Sequence, residues 1–316
     1  MRKVALLIFA SSLSVAAQNT STASAPAEII VTVGHYFGPE TPVLTQDNLT
    51  ITQQYDPLPI TSLVPLRGDR AALELFLLVD NCSSCEPGTK FEELRRFILA
   101  QPSTTAIGVA FIRNGKLEVA ENLTKDRKRA VEALNVPDGN KPTGPYDAVT
   151  DLIHNWGQNS SRHAVLIITN GIDPAVPETG PDPSVEAAIA AAQRARVTVY
   201  AMYHPSADYL SIDPSTVYNG QVQLAHLAME SGGEAYFVSF GPLPSLSPFL
   251  ADLSDHLANQ YLLRFLAKPV EGTGALERVT VKSTVRDVEL MVPDKTWIMG
   301  HDNSDRKPTY TPGRSQ

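Results

Sequence analysis

The stretch Leu73-Glu-Leu-Phe-Leu-Leu-Val-Asp-Asn-Cys-Ser-Ser-Cys85 sets the fold of this chain. Its first half, Leu73 to Val79, is an almost unbroken apolar run, which is typical of a strand buried on both faces of a parallel sheet. The run ends at Asp80, and small polar residues follow. Because open α/β sheets bind their ligands at the carboxyl ends of central strands, we expect a binding site at this point.

Further apolar runs alternate with helical patterns along the chain. Thr105 to Ile112, His163 to Thr169 and Val197 to Tyr203 predict buried strands. A helix over 221–231 and a strand over Glu234 to Phe240 continue the alternation. The pattern predicts an α/β domain with a doubly wound, mainly parallel, Rossmann-like sheet.

The segments on either side of this α/β domain, which spans 68–259, have the alternating polar and apolar residues of half-buried strands. The N-terminal β segment, 28–67, and the C-terminal β segment, 260–299, each hold too few strands for a core of their own. We therefore expect them to pack together as one small β-sandwich. Residues 300–316 are predicted to be a disordered tail.

The first residues have the pattern of a secretory signal peptide. A basic start at Met1-Arg-Lys, an apolar centre over Val4 to Ala10 and the small residues Val15-Ala-Ala17 predict cleavage after residue 17. Residues 18–27 are predicted to be a flexible leader. Since no later apolar run approaches the roughly 20 residues of a membrane-spanning helix, we expect an exported protein, periplasmic or secreted, without membrane insertion.

The composition limits the class of partner. The chain has 316 residues, 43% of them hydrophobic, and a formal net charge of -8. Its acidic isoelectric point, near 5.4, argues against nucleic acid as the main partner. No Gly-x-Ser-x-Gly elbow, His-Glu-x-x-His helix or phosphate loop occurs in the sequence. We therefore expect a protein that is not an enzyme.

Three motifs follow one another in an order that resembles a known family. They are Asp80-x-x-x-Ser84 after a strand, Thr143-x-x-Tyr-Asp-Ala148 at a helix start, and Ile-Ile-Thr-Asn-Gly-Ile-Asp173 at a strand end. Their order and the β flanks, including the Tyr-Leu-Leu strand that opens the C-terminal segment, resemble the exported bacterial proteins with a von Willebrand factor type A (VWFA) domain. The resemblance covers nearly the whole mature chain. It implies an adhesion-type module that binds a protein ligand through loops 80–88, 141–146 and 170–182.

The family's metal-ion-dependent adhesion site has the pattern Asp-x-Ser-x-Ser, then Thr, then Asp, and it binds Mg²⁺ or Mn²⁺ through oxygen ligands. The resemblance assigns Asp80, Ser84 and Thr143 to that site in this chain. Cys82 replaces the first serine and Asn170 replaces the second aspartate. A thiol is a poor ligand for a hard cation, and asparagine lacks a negative charge. The resemblance thus implies a degenerate site, either weak or lost.

Other acidic residues near these motifs could compensate for the missing charge. Asp173, Glu86 and Asp147 are the candidates, although the sequence does not place them relative to Asp80.

The two cysteines, Cys82 and Cys85, are spaced Cys-x-x-Cys. In an exported protein they could form a disulfide. A strand followed by Cys-x-x-Cys and a helix is also typical of thiol redox proteins, so a periplasmic thiol-disulfide oxidoreductase is the alternative function. We favour a structural pair, because the surrounding motifs resemble the VWFA domain more closely.

Overall fold

The apolar run that ends at Asp80 is a central strand in a computed structural model of the chain. The structure describes residues 24–35, 41–80, 88–113, 115–134, 144–157, 161–173, 182–205 and 209–301.

Strands and helices follow one another along the described part of the chain. The strands are β1 (Ala25–His35), β2 (Leu49–Gln53), β3 (Asp56–Pro57), β4 (Ile60–Pro65), β5 (Leu73–Asp80), β6 (Thr105–Arg113), β7 (Lys116–Thr124), β8 (Arg162–Thr169), β9 (Val197–Tyr203), β10 (Ala235–Tyr236), β11 (Gln260–Ala267), β12 (Val270–Glu271), β13 (Gly274–Ser283), β14 (Val288–Met291) and β15 (Lys295–His301). The helices are α1 (Gly88–Ala100), α2 (Arg127–Glu132), α3 (Pro145–His154), α4 (Pro183–Ala195), α5 (Pro214–Glu230) and α6 (Ser247–Ala258).

The α/β domain is built around β5. Among the described residues, its sheet has six strands in the order β10-β9-β8-β5-β6-β7. All neighbouring pairs are parallel except β6 and β7, which are antiparallel. Because β5 lies between β8 and β6 and is covered on both faces, it needs the unbroken apolar run that its sequence has. The predicted doubly wound, mainly parallel sheet is confirmed.

Successive side chains of β5 point to opposite faces of the sheet. Phe76 and Leu78 pack in one core with α3, α4 and α5. Leu75 and Leu77 pack in a second core with α1, α2 and α6. Burial on both faces makes β5 a rigid support for the residue at its carboxyl end, Asp80.

The flanking segments form two sheets that pack face to face. One has the order β14-β1-β11-β4 and the other β12-β15-β13-β2-β3, so strands from before and after the α/β domain alternate in both. Strand β1 pairs with β11 from Ala25↔Ala267 to Thr32↔Gln260. The core between the sheets includes the buried residues Val31, Ile51 and Leu263. The predicted β-sandwich of the two flanks is confirmed.

A buried polar network joins the sandwich to the α/β domain. The amide of Gln260 donates to Thr32 Oγ1 at 2.9 Å and to the hydroxyl of Tyr200 at 3.3 Å. The guanidinium of Arg162 donates to the carbonyl oxygen of Leu257 at 2.7 Å and to the side chain of Gln260. Because such groups are costly to bury without partners, the network favours one arrangement of the two domains.

Two boundaries differ from those predicted by the sequence. Strand β1 begins inside the predicted leader, because it pairs with β11 as far as Ala25, and Ala25 and Ala27 are buried. Strand β15 extends two residues into the predicted tail, because Gly300 and His301 pair with β12. The predicted signal peptide and residues 302–316 lie outside the described residues.

The region before α6 also differs. Helix α5 begins at Pro214 rather than at residue 221, because Asp213 caps it by accepting a hydrogen bond from the backbone N–H of Ser215 at 2.8 Å. The predicted strand over Glu234 to Phe240 is reduced to β10. Residues 237–240 leave the sheet after Tyr236, and their apolar side chains are exposed.

Within the described residues, no helix is both long enough and apolar enough to cross a membrane.

Candidate functional site at the carboxyl edge of the sheet

The candidate site lies where the strand order reverses. From β5 the chain adds β6 and β7 on one side of the sheet, and then β8, β9 and β10 on the other. The crevice outside the carboxyl ends of β5 and β8 is therefore the topological switch point, the usual ligand site of this sheet class. Asp80 ends β5, and Thr169 ends β8.

Asp80 and Thr169 are bonded to each other. The Thr169 hydroxyl donates to Oδ2 of Asp80 at 2.6 Å. It also accepts the backbone N–H of Gly171 at 3.2 Å. Both side chains are almost fully buried. The threonine hydroxyl thus links the carboxylate at the end of β5 to the turn that follows β8.

The turn after β8 is held by three further features. Oδ1 of Asn170 accepts the backbone N–H of Ile172 at 2.9 Å. Gly171 has a φ of 71°, and a β-carbon there would lie 2.7 Å from Cγ of Leu224 in α5. The Tyr146 hydroxyl of α3 donates to the carbonyl oxygen of Gly171 at 2.7 Å. Glycine is therefore required at this position both for its backbone conformation and for space.

Carboxylates surround the start of α3. Oδ2 of Asp173 and Oδ2 of Asp147 lie 3.6 and 3.9 Å from the place that a β-carbon on Gly144 would take. The Ser184 hydroxyl lies within hydrogen-bond distance of Asp173, at 3.5 Å. Burial, together with the charges of Asp182 and Asp173, raises the pKa of the Tyr146 hydroxyl well above its usual value. Tyr146 thus stays protonated and remains a hydrogen-bond donor.

The predicted site residues fall into two groups. Asp80, Asn170 and Asp173 are described, and all three lie at the carboxyl edge of the sheet. Those outside the described residues are Cys82, Ser84, Cys85, Thr143 and the candidate carboxylate Glu86. The roles assigned to these five as metal ligands or as a disulfide pair stay predictions.

The described donors fit a Mg²⁺ or Mn²⁺ site only in part. One oxygen of Asp80 accepts the Thr169 hydroxyl, and the side-chain oxygen of Asn170 is used in its own turn. In the described part of the chain, only Glu234, Asp252 and His256 form a group of three whose ligand atoms all lie within 4.8 Å of one another. Since a hard divalent cation needs six to eight gathered oxygens, the described residues at Asp80 supply only part of such a set.

A lysine and a histidine that the sequence analysis did not select also lie at this edge. Nζ of Lys90 in α1 is 3.4 Å from Nδ1 of His204, the residue after β9. Both side chains line a small cavity with Val79 and Ile168. Burial and the Lys90 charge lower the pKa of His204 to about 4, so this imidazole is neutral at pH 7. The Lys90 charge disfavours a further cation nearby.

Exposed apolar side chains lie beside this polar edge. Phe237, Val238 and Phe240 follow β10, and Val238 is 67% exposed. The hydroxyl of Tyr203, the last residue of β9, donates to the carbonyl oxygen of Phe240 at 3.2 Å. Gln221 of α5 donates to the carbonyl oxygen of Ser239 at 2.8 Å. These bonds hold the segment 237–240 at the carboxyl end of β9 and β10.

The known proteins that this chain resembles were found by comparing structures. No family model and no curated protein matches the chain. A conserved hypothetical protein, BatB, from Bacteroides thetaiotaomicron is 15% identical, with 59% of this chain and 97% of that chain covered and a TM-score of 0.44.

Two further solved structures carry the VWFA name. A von Willebrand factor type A protein from Catenulispora acidiphila is 11% identical over 91% of this chain and 76% of that chain, with a TM-score of 0.45. The vWF domain of the type V pili tip protein Mfa5 from Porphyromonas gingivalis is 9% identical over 61% of this chain and 95% of that chain, with a TM-score of 0.41. The chain is similar to these VWFA proteins, the family that its motif order resembles.

Proposed function

We propose that this chain is an exported, non-enzymatic, VWFA-type interaction module that binds a protein ligand at the carboxyl edge of its α/β sheet. We propose further that the ligand is bound with weak dependence on divalent metal. The bound protein contacts the partly exposed Asn170 and Asp173 after β8 together with the exposed segment 237–240.

The proposal rests on one observation: apolar and polar side chains lie together at one edge of the sheet, and the apolar ones are exposed. Phe237, Val238 and Phe240 are exposed, although the sequence pattern would bury them in a strand. Contiguous exposed apolar side chains, aromatic ones above all, are typical of protein-binding surfaces. The hydrogen bonds that hold their backbone at this edge reduce the entropy lost on binding.

The side chains at this edge support the proposal that ligand binding depends only weakly on metal. Asn170 carries no charge and bonds its own turn, and Lys90 adds a positive charge to this edge. Both features lower the affinity for a divalent cation. The positively charged start of the chain, its apolar centre and the Val15-Ala-Ala17 cleavage pattern support export.

Site-specific photo-crosslinking tests the binding face. A photoreactive amino acid replaces Val238 in one variant and Val43 in a control, and the two valines are equally exposed, at 67%. Val43 lies near Leu73, at the amino end of β5 and far from the candidate site. Both variants are incubated with an extract of cells that naturally produce the chain, and the crosslinked proteins are identified.

We expect the probe at residue 238 to capture a protein that the probe at residue 43 does not. Adding the substitution Phe240→Ser to the variant with the probe at residue 238 should reduce that capture, because it removes a neighbouring aromatic side chain. Equal capture at the two positions, or capture unaffected by Phe240→Ser, would contradict the proposed face.

A further inference from the structure

A second group of potential ligands lies at the junction of the two domains, away from the carboxyl edge of the sheet. Glu234 precedes β10, and Asp252 and His256 are four residues apart on α6. Residues four apart on a helix share one face. The fold brings Glu234 against that face, where His256 is more than nine-tenths buried.

The distances within this group match those between ligands of one metal ion. Nδ1 of His256 is 3.5 Å from Oε2 of Glu234 and 3.6 Å from Oδ2 of Asp252. Zinc binds imidazole nitrogen and carboxylate oxygen at about 2.0–2.2 Å, so two ligands of a tetrahedral site lie about 3.4 Å apart. Two of the three distances therefore match the edges of such a tetrahedron, and the third, between the two carboxylates, is at most 4.8 Å.

Neighbouring groups surround two of the three ligands. The Tyr236 hydroxyl donates to Oδ2 of Asp252 at 3.0 Å and lies 3.4 Å from Nδ1 of His256. On the other side of the imidazole, Nε2 of His256 and Oε2 of Glu289 lie 3.7 and 3.4 Å from the place of a β-carbon on Gly34. Glu289 therefore adds negative charge beside the imidazole.

The junction has an excess of negative charge. The charges of Asp252 and Glu289 act on Glu234, and among the described residues none of the three has a lysine or arginine within ion-pair distance. Like charges held together in a partly buried place are unfavourable, and a divalent cation would relieve that repulsion. The imidazole ligand favours zinc or a related transition metal over Mg²⁺.

We propose that Glu234, Asp252 and His256 bind Zn²⁺ at the junction of the α/β domain and the β-sandwich. Water completes the coordination. The site lies where the two domains meet, because Gly34 of β1 and Glu289 of β14 lie beside His256.

Titration of the metal-free mature chain with ZnCl₂, followed by calorimetry and by thermal unfolding, tests this site. Asp252→Asn removes one ligand whose side chain is 49% exposed, so it leaves the core intact. His226→Gln is the matched control, because His226 has a carboxylate partner, Glu186 at 3.0 Å, but belongs to no such three-ligand group in the described residues.

We expect the unsubstituted chain and His226→Gln to bind one Zn²⁺ with equal affinity and to gain equal thermal stability. Asp252→Asn should bind that ion at least about tenfold more weakly. The proposal is wrong if Asp252→Asn binds zinc with the same stoichiometry and affinity as the unsubstituted chain. It is equally wrong if the unsubstituted chain binds none.

Discussion

Replacing Thr169 by valine tests the link between the two strands at the switch point. The substitution keeps the shape of the side chain and its preference for a strand, but it removes the hydroxyl. That hydroxyl donates to Asp80 at 2.6 Å and accepts from Gly171 at 3.2 Å. Thr169 is 1% exposed and Asp80 is 3% exposed, so water cannot readily replace the lost bonds.

The expected loss of stability follows from the two bonds. A hydrogen bond to a charged group contributes about 1.5–3 kcal/mol, and one between neutral groups about 1 kcal/mol. Thr169→Val should therefore lower the free energy of unfolding by about 2–4 kcal/mol. The added methyl group returns little of this, because the core around it is already packed.

Urea unfolding of the chain measures this loss of stability. Thr198→Val is the control, because Thr198 is a buried threonine of the neighbouring strand β9 for which no hydrogen bond to a carboxylate is seen in the described residues. We expect Thr169→Val to be clearly less stable than Thr198→Val, with similar urea dependence. Equal stability of the two variants would refute the view that the Thr169 hydroxyl stabilises the buried Asp80 carboxylate.

Two further predictions concern the same domain. In Gly108→Ala, the new β-carbon would lie 2.6 Å from Cζ of Phe76, and the overpacking should cost about 1–3 kcal/mol in urea unfolding; an unchanged stability would show that the ring moves freely. His204 has its pKa lowered to about 4 by burial and by Lys90, so the unfolded chain binds a proton below about pH 6.5 that the folded chain does not. Stability should therefore fall as the pH drops from 7 to about 4.5, and His204→Gln should reduce that fall by about 2–3 kcal/mol. The same fall in both proteins would contradict this assignment.

The sheet of the α/β domain is predicted well because its strands are buried on both faces. Such strands need unbroken apolar runs, and Leu73 to Val79 and His163 to Thr169 have them. The β-sandwich is predicted from a different signal, the alternation in two segments that are each too short to form a core alone. Because neither flanking segment has enough strands for its own core, the two segments are expected to pair with each other.

The errors occur where tertiary contacts override the local pattern. Glu234 to Phe240 has the composition of a strand, but only Ala235 and Tyr236 pair with β9. The carbonyl oxygens of Phe240 and Ser239 instead accept from the side chains of Tyr203 and Gln221. Among the described residues β10 is an edge strand with one neighbour, β9, so it can end early without breaking pairing on its other side.

The sequence identifies only part of the candidate site, because some of its residues are brought together by tertiary contacts. Asp80 is recognisable because a carboxylate at the end of a buried central strand lies where this sheet class binds its ligands. The partnership of Thr169 with Asp80 depends on β8 lying beside β5, which the sequence does not state. Asp252 and His256 show helical spacing, yet their partner Glu234 is brought to them by the fold alone.

Calorimetric titration of Mg²⁺ and Mn²⁺ into the chain tests the central proposal, that the metal site at Asp80 is weak. It is made beside Asp80→Ala and beside the double variant Cys82→Ser, Asn170→Asp, which restores the pattern of the adhesion site. We expect the unsubstituted chain to bind either metal more weakly than about 1 mM, as in the weakest natural oxygen-ligand sites, and the double variant to bind much more tightly. Tight binding by the unsubstituted chain that disappears in Asp80→Ala would contradict this proposal, since the edge of the sheet would then hold a working metal site.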